Sequence, residues 1–252
     1  MTNTVKHDLY RVRKSTLFYS IIFLVTAIAL LFTMIVRHAN LGIFVGGYVM
    51  EFREVHDVIR TGVLYQRGLG IFVAILIAIF IGQEYQWKTW QHKWLTNKNR
   101  TQIYLSKLII SATLSALIFL IFQTITLIFS SQAAEILTLD YGAMIIGGVA
   151  IYATLGAVMC MLSMLIKSAT GSIIACLGYV LFGETLLYAI ANLSRFSDVT
   201  SRIINWGVRH SIYGMAVRVS TGYNLIFIII NALVITFLYT TVGLMIFRKY
   251  EL

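Results

Sequence analysis

The sequence has no proline, only two cysteines and few charged residues. Only 12% of its 252 residues are charged and 59% are hydrophobic, whereas a soluble domain carries about 25% charged residues. An ordinary soluble domain is therefore excluded. Without proline, sharp helix kinks must come from glycine or from local packing. Cys160 and Cys176 lie inside apolar runs, which predicts small buried side chains and no disulfide framework.

Several catalytic and ligand-binding motifs are also missing. The chain has no Gly-Lys dipeptide, so it cannot form the P-loop that cradles nucleotide phosphates. Its five histidines lack metal-ligand spacing, and no Gly-x-Ser-x-Gly motif is present. We therefore expect a chain that is not an enzyme and holds neither metal nor cofactor. The net charge of +10 does not indicate nucleic-acid binding, because the basic residues flank apolar runs.

Long apolar runs dominate what is present. A helix needs roughly 20 apolar residues to cross a bilayer core about 30 Å thick. The runs predict an all-α, polytopic membrane protein, with residues 1–252 forming one transmembrane domain. The six predicted spans are 16–36, 68–81, 108–130, 142–166, 171–191 and 223–247, and residues 61–67 could extend the second of them outward.

The basic residues predict the orientation of these spans. If the N-terminus is cytoplasmic, all eight lysines and four of the twelve arginines fall on the inner side. Cytoplasmic loops carry the excess of basic residues in membrane proteins. We therefore expect both termini in the cytoplasm. Residues 1–15 mix basic and apolar residues, which is typical of a helix lying in the membrane interface, although a disordered basic tail remains the alternative.

Two outer connections show helical periodicity. The stripe in the first is Val49, Phe52, Val55, Ile59 and Val63. The second, within 195–220, is predicted to place Val199, Ile203, Trp206 and Val208 on one face, with Arg195, Arg202 and Arg209 repeating every seven residues. Such amphipathic helices would lie on the outer membrane surface or dip into it. An ordinary packed extracellular cap is the alternative.

The inner connection at 83–100 is aromatic and basic, and it holds three of the four tryptophans. As a helix from Glu84, it would align Trp87, Trp90 and Trp94 on one face. A rigid aromatic face suits docking on another protein. An aromatic belt at the level of the lipid headgroups explains the same composition equally well.

This segment resembles the permeases of ABC-2 type ABC transporters. The residues that carry the resemblance are Gly82, Glu84, Thr89, Leu95, Arg100 and Lys107. The resemblance implies that 83–100 is a coupling helix that fits a groove on a separate ATPase subunit. The implied coupling residues are Glu84, Tyr85, Trp87, Lys88, Thr89, Trp90 and Arg100.

The same resemblance implies partners and a substrate class. Two copies of a partner ATPase would bind ATP and Mg²⁺, and a second permease subunit would complete a homodimer or heterodimer. Within that family the chain resembles small Gram-positive permeases that export peptides or give immunity to them, including the exporter of phenol-soluble modulins. Export of amphipathic or antimicrobial peptides across the cell membrane is the implied activity.

One carboxylate lies within an apolar run, at Glu184. Because a charge inside a span is costly, it usually faces a cavity or a partner. We expect Glu184, with Arg202 or Arg209, to line the substrate path, unless Glu184 is hydrated at the outer interface. The alternative function is an ion-coupled secondary transporter or channel, which needs charged residues at the membrane midplane.

Overall fold

In the part of the chain that the structure describes, the fold is helical apart from one short hairpin. A computed structural model describes residues 2–38, 42–45, 48–51, 54–87, 99–130, 132–183, 186, 189, 198–222 and 224–249. The elements are α1 (Thr2–Arg13), α2 (Thr16–His38), β1 (Gly42–Val45), β2 (Tyr48–Glu51), α3 (Val55–Val63), a 3₁₀ turn (Tyr65–Arg67), α4 (Leu69–Gln86), α5 (Arg100–Phe129), α6 (Ala133–Ile136), α7 (Leu139–Ile166), α8 (Ala169–Gly178) with a π-helix (Tyr179–Gly183), α9 (Asp198–His210), α10 (Ile212–Ser220) and α11 (Leu225–Lys249).

Five of these helices, α2, α4, α5, α7 and α11, are long and apolar enough to cross a membrane. They correspond to five of the six predicted spans. The remaining one, 171–191, coincides with α8 and its π-helix, which are shorter; most of 184–197 lies outside the described residues. The proposed outward extension of the second span is wrong. Gly68 has a φ of +135°, a conformation that glycine adopts readily, and it separates α4 from the preceding turn.

The helices α4, α5 and α7 form the centre of the bundle, with α2, α8 and α11 packed around them. In the apolar windows of α4 and α7, 61% and 67% of residues are buried, against 22% in α2 and 11% in α11. The two outer helices therefore leave most of their apolar surface open. This distribution is that expected of a bundle whose periphery faces lipid.

Glycines allow close contact between α5 and α7. A methyl group added at Gly148 would collide with the ring of Phe119, and one added at Gly156 would lie 2.5 Å from the carbonyl oxygen of Ser111. Lipid tails provide no hydrophobic drive for helix association, so such small residues and the packing they permit become important. At Gly148 and Gly156 the absence of a side chain therefore permits the close approach of α5 and α7. Gly178, by contrast, has open space where a side chain would be.

Side-chain hydrogen bonds also join the helices. The Thr236 hydroxyl on α11 donates to the Thr154 hydroxyl on α7 over 3.1 Å. Cys176 on α8 lies 3.4 Å (Sγ to Oγ) from Ser163 on α7. Cys160 and Cys176 are both buried free thiols, as predicted. Lys167 and Ser168 alone connect α7 to α8.

The predicted stripe from Val49 to Val63 is only partly a helix. Val49 lies in β2, which pairs antiparallel with β1, Val45 opposite Tyr48. The helix α3 begins at Val55, and Phe52 lies outside the described residues. β-Branched and aromatic residues on both sides of a Gly-Gly pair are typical of a hairpin, and in this sequence they outweigh the helical periodicity.

The helix α3 is buried within the bundle. The Gln123 side-chain amide donates to the Ile59 carbonyl over 3.0 Å, and the Tyr152 hydroxyl donates to the Gly62 carbonyl over 2.7 Å. Gln123 lies six residues before the end of α5, about 9 Å along its axis. The connection between α2 and α4 therefore descends below the end of α5. Whether this connection lies on the outer side and dips into the membrane stays a prediction.

The second connection, which the sequence predicts to be outer, contains α9 and α10. Ile212, Met215 and Val219 of α10 are buried, and Val219 packs beside Gly147 of α7. The predicted single apolar face of α9 is wrong in part, because Val208 is buried while Ile203 and Trp206 are exposed. Residues two apart on a helix point to different sides, which explains this division.

Candidate functional site: a buried ion cluster at one end of the bundle

Three separate elements meet at the end of the bundle that carries α1. This proximal end also holds the last turns of α4 and the first turns of α5. The inward face of α1 consists of Val5, Asp8 and Val12, spaced by three and four residues. Asp8 and Val12 are buried, whereas Leu9 and Tyr10 on the other face are 56% and 62% exposed.

Four charged side chains from these elements form one cluster, here called the ion quartet: Asp8, Arg11, Glu84 and Lys107. The Lys107 ammonium lies 2.9 Å (Nζ to Oδ1) from the Asp8 carboxylate and pairs with the Glu84 carboxylate as well. The Arg11 guanidinium pairs with Glu84 and also donates to the Phe80 carbonyl oxygen. The quartet contains two positive and two negative groups, so it is formally neutral.

The ring of Phe80 lies beside both cations of the quartet. The Arg11 guanidinium carbon and the Lys107 nitrogen are each 4.5 Å from its centroid. A cation within about 6 Å of an aromatic face gains roughly 0.5–2 kcal/mol, more when water is excluded. Phe80 and Glu84 are one turn apart on α4, which places the ring and the carboxylate on the same side of that helix.

The quartet is almost completely shielded from water. Asp8, Glu84 and Lys107 are each 0% exposed, and only Arg11 is partly accessible. Burying such ions costs several kcal/mol each, and their mutual attraction roughly offsets this cost only when each charge keeps its partners. Such a cluster makes the relative position of α1, α4 and α5 specific, because moving any one helix away would leave a buried charge unpaired.

The structure places the predicted coupling residues at different depths. Glu84 was expected at a partner surface, but its carboxylate is inside the chain, so a direct contact with a partner does not fit this structure. Tyr85 is partly buried and its hydroxyl donates to the Met164 carbonyl over 3.1 Å. Trp87 is 63% exposed. Arg100 is the first residue of α5.

The middle of the predicted coupling segment lies outside the described residues. Lys88, Thr89 and Trp90 fall within 88–98, between the end of α4 and the start of α5. The coupling helix expected there stays a prediction. The quartet nevertheless joins the two helices that flank this segment. Glu84 is on α4, which precedes it, and Lys107 is on α5, which follows it.

The predicted substrate-path residues are not brought together in the described part of the chain. Arg202 and Arg209 are exposed on α9. Glu184 lies outside the described residues, so its predicted pairing with either arginine stays a prediction.

Sequence reasoning missed Asp8 and Arg11 as members of this site. The basic charge of residues 1–15 predicts an interfacial helix. Asp8 is the only acidic residue among them. Asp8 and Arg11, three apart, share a face of a helix, and the apolar Val5 and Val12 lie on that same side. A lone carboxylate on the apolar side of a basic helix was the available signal for a buried ion pair.

Within the described residues, no group of three or more His, Cys, Asp or Glu side chains could hold a metal ion. No known family model matches the chain, and no characterised protein shows significant similarity to it. The class of the protein therefore rests on its fold. The five long apolar helices indicate a helical membrane-embedded protein.

Proposed function

We propose that the chain is the membrane subunit of an ATP-driven ABC exporter, and that its 83–100 segment receives force from a separate ATPase. In this proposal the chain spans the plasma membrane six times, with both termini in the cytoplasm. Two ATPase copies bind ATP and Mg²⁺, and a second permease subunit completes the transport path. The chain itself hydrolyses nothing.

The ion quartet is the observation that supports this proposal most strongly. It joins the two flanks of the 88–98 segment to each other and to α1. A displacement imposed on this segment by a partner would therefore be transmitted to α4, α5 and α1 together, because separating them costs a buried, unpaired charge. This arrangement fits a segment at 83–100 that receives force from a partner. It gives Glu84 a positioning role instead of a place at the partner surface.

The proposed substrate is an amphipathic or antimicrobial peptide of a Gram-positive cell. Its apolar face would suit helices whose outer surfaces are apolar, and the exposed arginines Arg202 and Arg209 supply polar contacts at the opposite, distal end. The ion-coupled transporter gains no comparable support. The buried carboxylates of the described residues, Asp8 and Glu84, both belong to the neutral quartet, close to helix ends.

A photo-cross-linking amino acid at position 87 tests this function. Trp87 and Trp206 are exposed to a similar extent, 63% and 65%, so position 206 is a matched control at the distal end. Cross-linking in the native cell, followed by mass spectrometry, should join position 87, and not 206, to a protein that carries a P-loop. Adducts at position 87 that never include a nucleotide-binding protein would contradict the proposal.

A further inference from the structure

A groove of about 300 Å³ opens between α1, α2 and α4 at the proximal end. Its polar lining residues lie near the end of α1, the start of α2 and the end of α4, and this polar end is here called the mouth of the groove: Arg11, Lys14, Ser15, Thr16 and Gln83. Trp87 stands at the same end, exposed. Val12 of α1 and apolar residues of α2 and α4 form the rest of the wall. The groove therefore has a basic, hydrogen-bonding end and an apolar end.

The charge at the mouth of the groove is positive. The residues that line it include Arg11 and Lys14, and no aspartate or glutamate is among them. Arg11 faces Glu84 on one side, but Lys14 has no carboxylate within ion-pair distance among the described residues. The Lys14 nitrogen lies 6.0 Å from the centroid of the Tyr10 ring. Such a ring contact does not neutralise the ammonium charge, so Lys14 can still attract an anion.

The length of the groove matches one leaflet of a bilayer. Its wall on α4 runs from Leu76 through Phe80 and Gln83 to Trp87, at helical spacing along one face. The eleven helical steps from Leu76 to Trp87 cover about 16 Å, close to half of a hydrocarbon core about 30 Å thick. A single acyl chain would therefore lie along this face with its headgroup at Lys14.

We propose that this groove binds an anionic phospholipid of the leaflet on the N-terminal side, with its phosphate between Arg11 and Lys14 and an acyl chain along α4. Basic pockets between membrane helices favour acidic headgroups, and each basic residue near the surface adds to the attraction. Tryptophan at the mouth suits this level of the membrane. The lipid site does not depend on the proposed transport activity.

Fluorescence of Trp87 provides the test. The full chain with Trp90, Trp94 and Trp206 replaced by Phe is reconstituted in vesicles that contain phosphatidylglycerol or phosphatidylcholine brominated at acyl carbons 6 and 7. Brominated phosphatidylglycerol should quench Trp87 with about fivefold higher apparent affinity than the phosphatidylcholine. Equal quenching by the two lipids would overturn the proposal.

Variants at two lysines separate a site from general surface charge. Lys14→Gln should remove most of the preference, and Lys14→Arg should keep it. Lys6→Gln makes the same charge change at an exposed position of α1 outside the groove and should leave the preference intact. An equal loss in Lys6→Gln would mean diffuse attraction and would refute the site. Displacement of the lipid by millimolar glycerol phosphate would show a site for free phosphate, which also refutes it.

Discussion

At the scale of single residues, the ion quartet decides where α1 lies. Hydrophobic burial of Val5 and Val12 would hold the helix against the bundle in several registers, whereas the pairing of Asp8 with Lys107 at 2.9 Å permits one. A buried ion pair adds little net stability compared with a well-packed apolar replacement, but losing one member costs about 3–5 kcal/mol. This difference makes each member of the quartet testable.

Replacing Lys107 by Met should destabilise the chain, because it leaves Asp8 and Glu84 buried with one cation between them. We expect a loss of about 3–5 kcal/mol, or roughly 6–20 °C in the unfolding temperature of a chain of this size. The readout is a thiol-reactive dye, since Cys160 and Cys176 are buried in the folded chain. Lys6→Met, at an exposed position, is the control.

A second variant distinguishes a charge effect from a packing effect. If Asp8 and Lys107 stabilise the chain through their pairing, the double variant Asp8→Asn/Lys107→Met should lose much less stability than the sum of the losses of the two single variants. Strictly additive losses, or a Lys107→Met variant as stable as the Lys6→Met control, would show that the quartet does not fix the position of α1.

At the scale of elements, the long helices could be predicted from the sequence, while the connections could not. A run of about 20 apolar residues strongly favours a single long helix. The helices Thr16–His38 and Leu139–Ile166 therefore begin and end within three residues of the predicted spans 16–36 and 142–166, whereas α5 begins eight residues before the predicted 108. Short segments are compatible with more than one secondary structure. The strand Tyr48–Glu51, which pairs with Gly42–Val45, takes the place of the start of a predicted helix. Burial of Glu84 was equally beyond prediction, because its partner Arg11 lies 73 residues away.

The dipping helix α3 depends on hydrogen bonds from the long helices. Tyr152→Phe would leave the buried Gly62 carbonyl without this donor, at a cost of about 1–3 kcal/mol. We expect α3 to open more often as a result. A cysteine introduced at Val58, which is 0% exposed, should then react with maleimide several times faster. Tyr239→Phe on α11 serves as the control, and equal rates in the two variants would contradict this role.

At the scale of the whole molecule, the protein has two ends with different proposed tasks. The proximal end contains the ion quartet, the flanks of the 88–98 segment and the proposed lipid groove. The distal end contains α3, α9 and α10. Such a division has functional meaning only if the proximal end faces the nucleotide pool of the cell, because an ATPase cannot work where ATP is absent.

The most direct test of this central claim is the sidedness of Trp87. Trp87→Cys and Trp206→Cys chains are treated with a membrane-impermeant maleimide in intact cells and in inside-out vesicles, with the wild-type chain as a blank because its own cysteines are buried. If the proposed function is right, Trp87→Cys reacts only in inside-out vesicles and Trp206→Cys only in intact cells. Labelling of Trp87→Cys from outside intact cells would place the 83–100 segment on the side of the membrane that lacks ATP and contradict the proposed function.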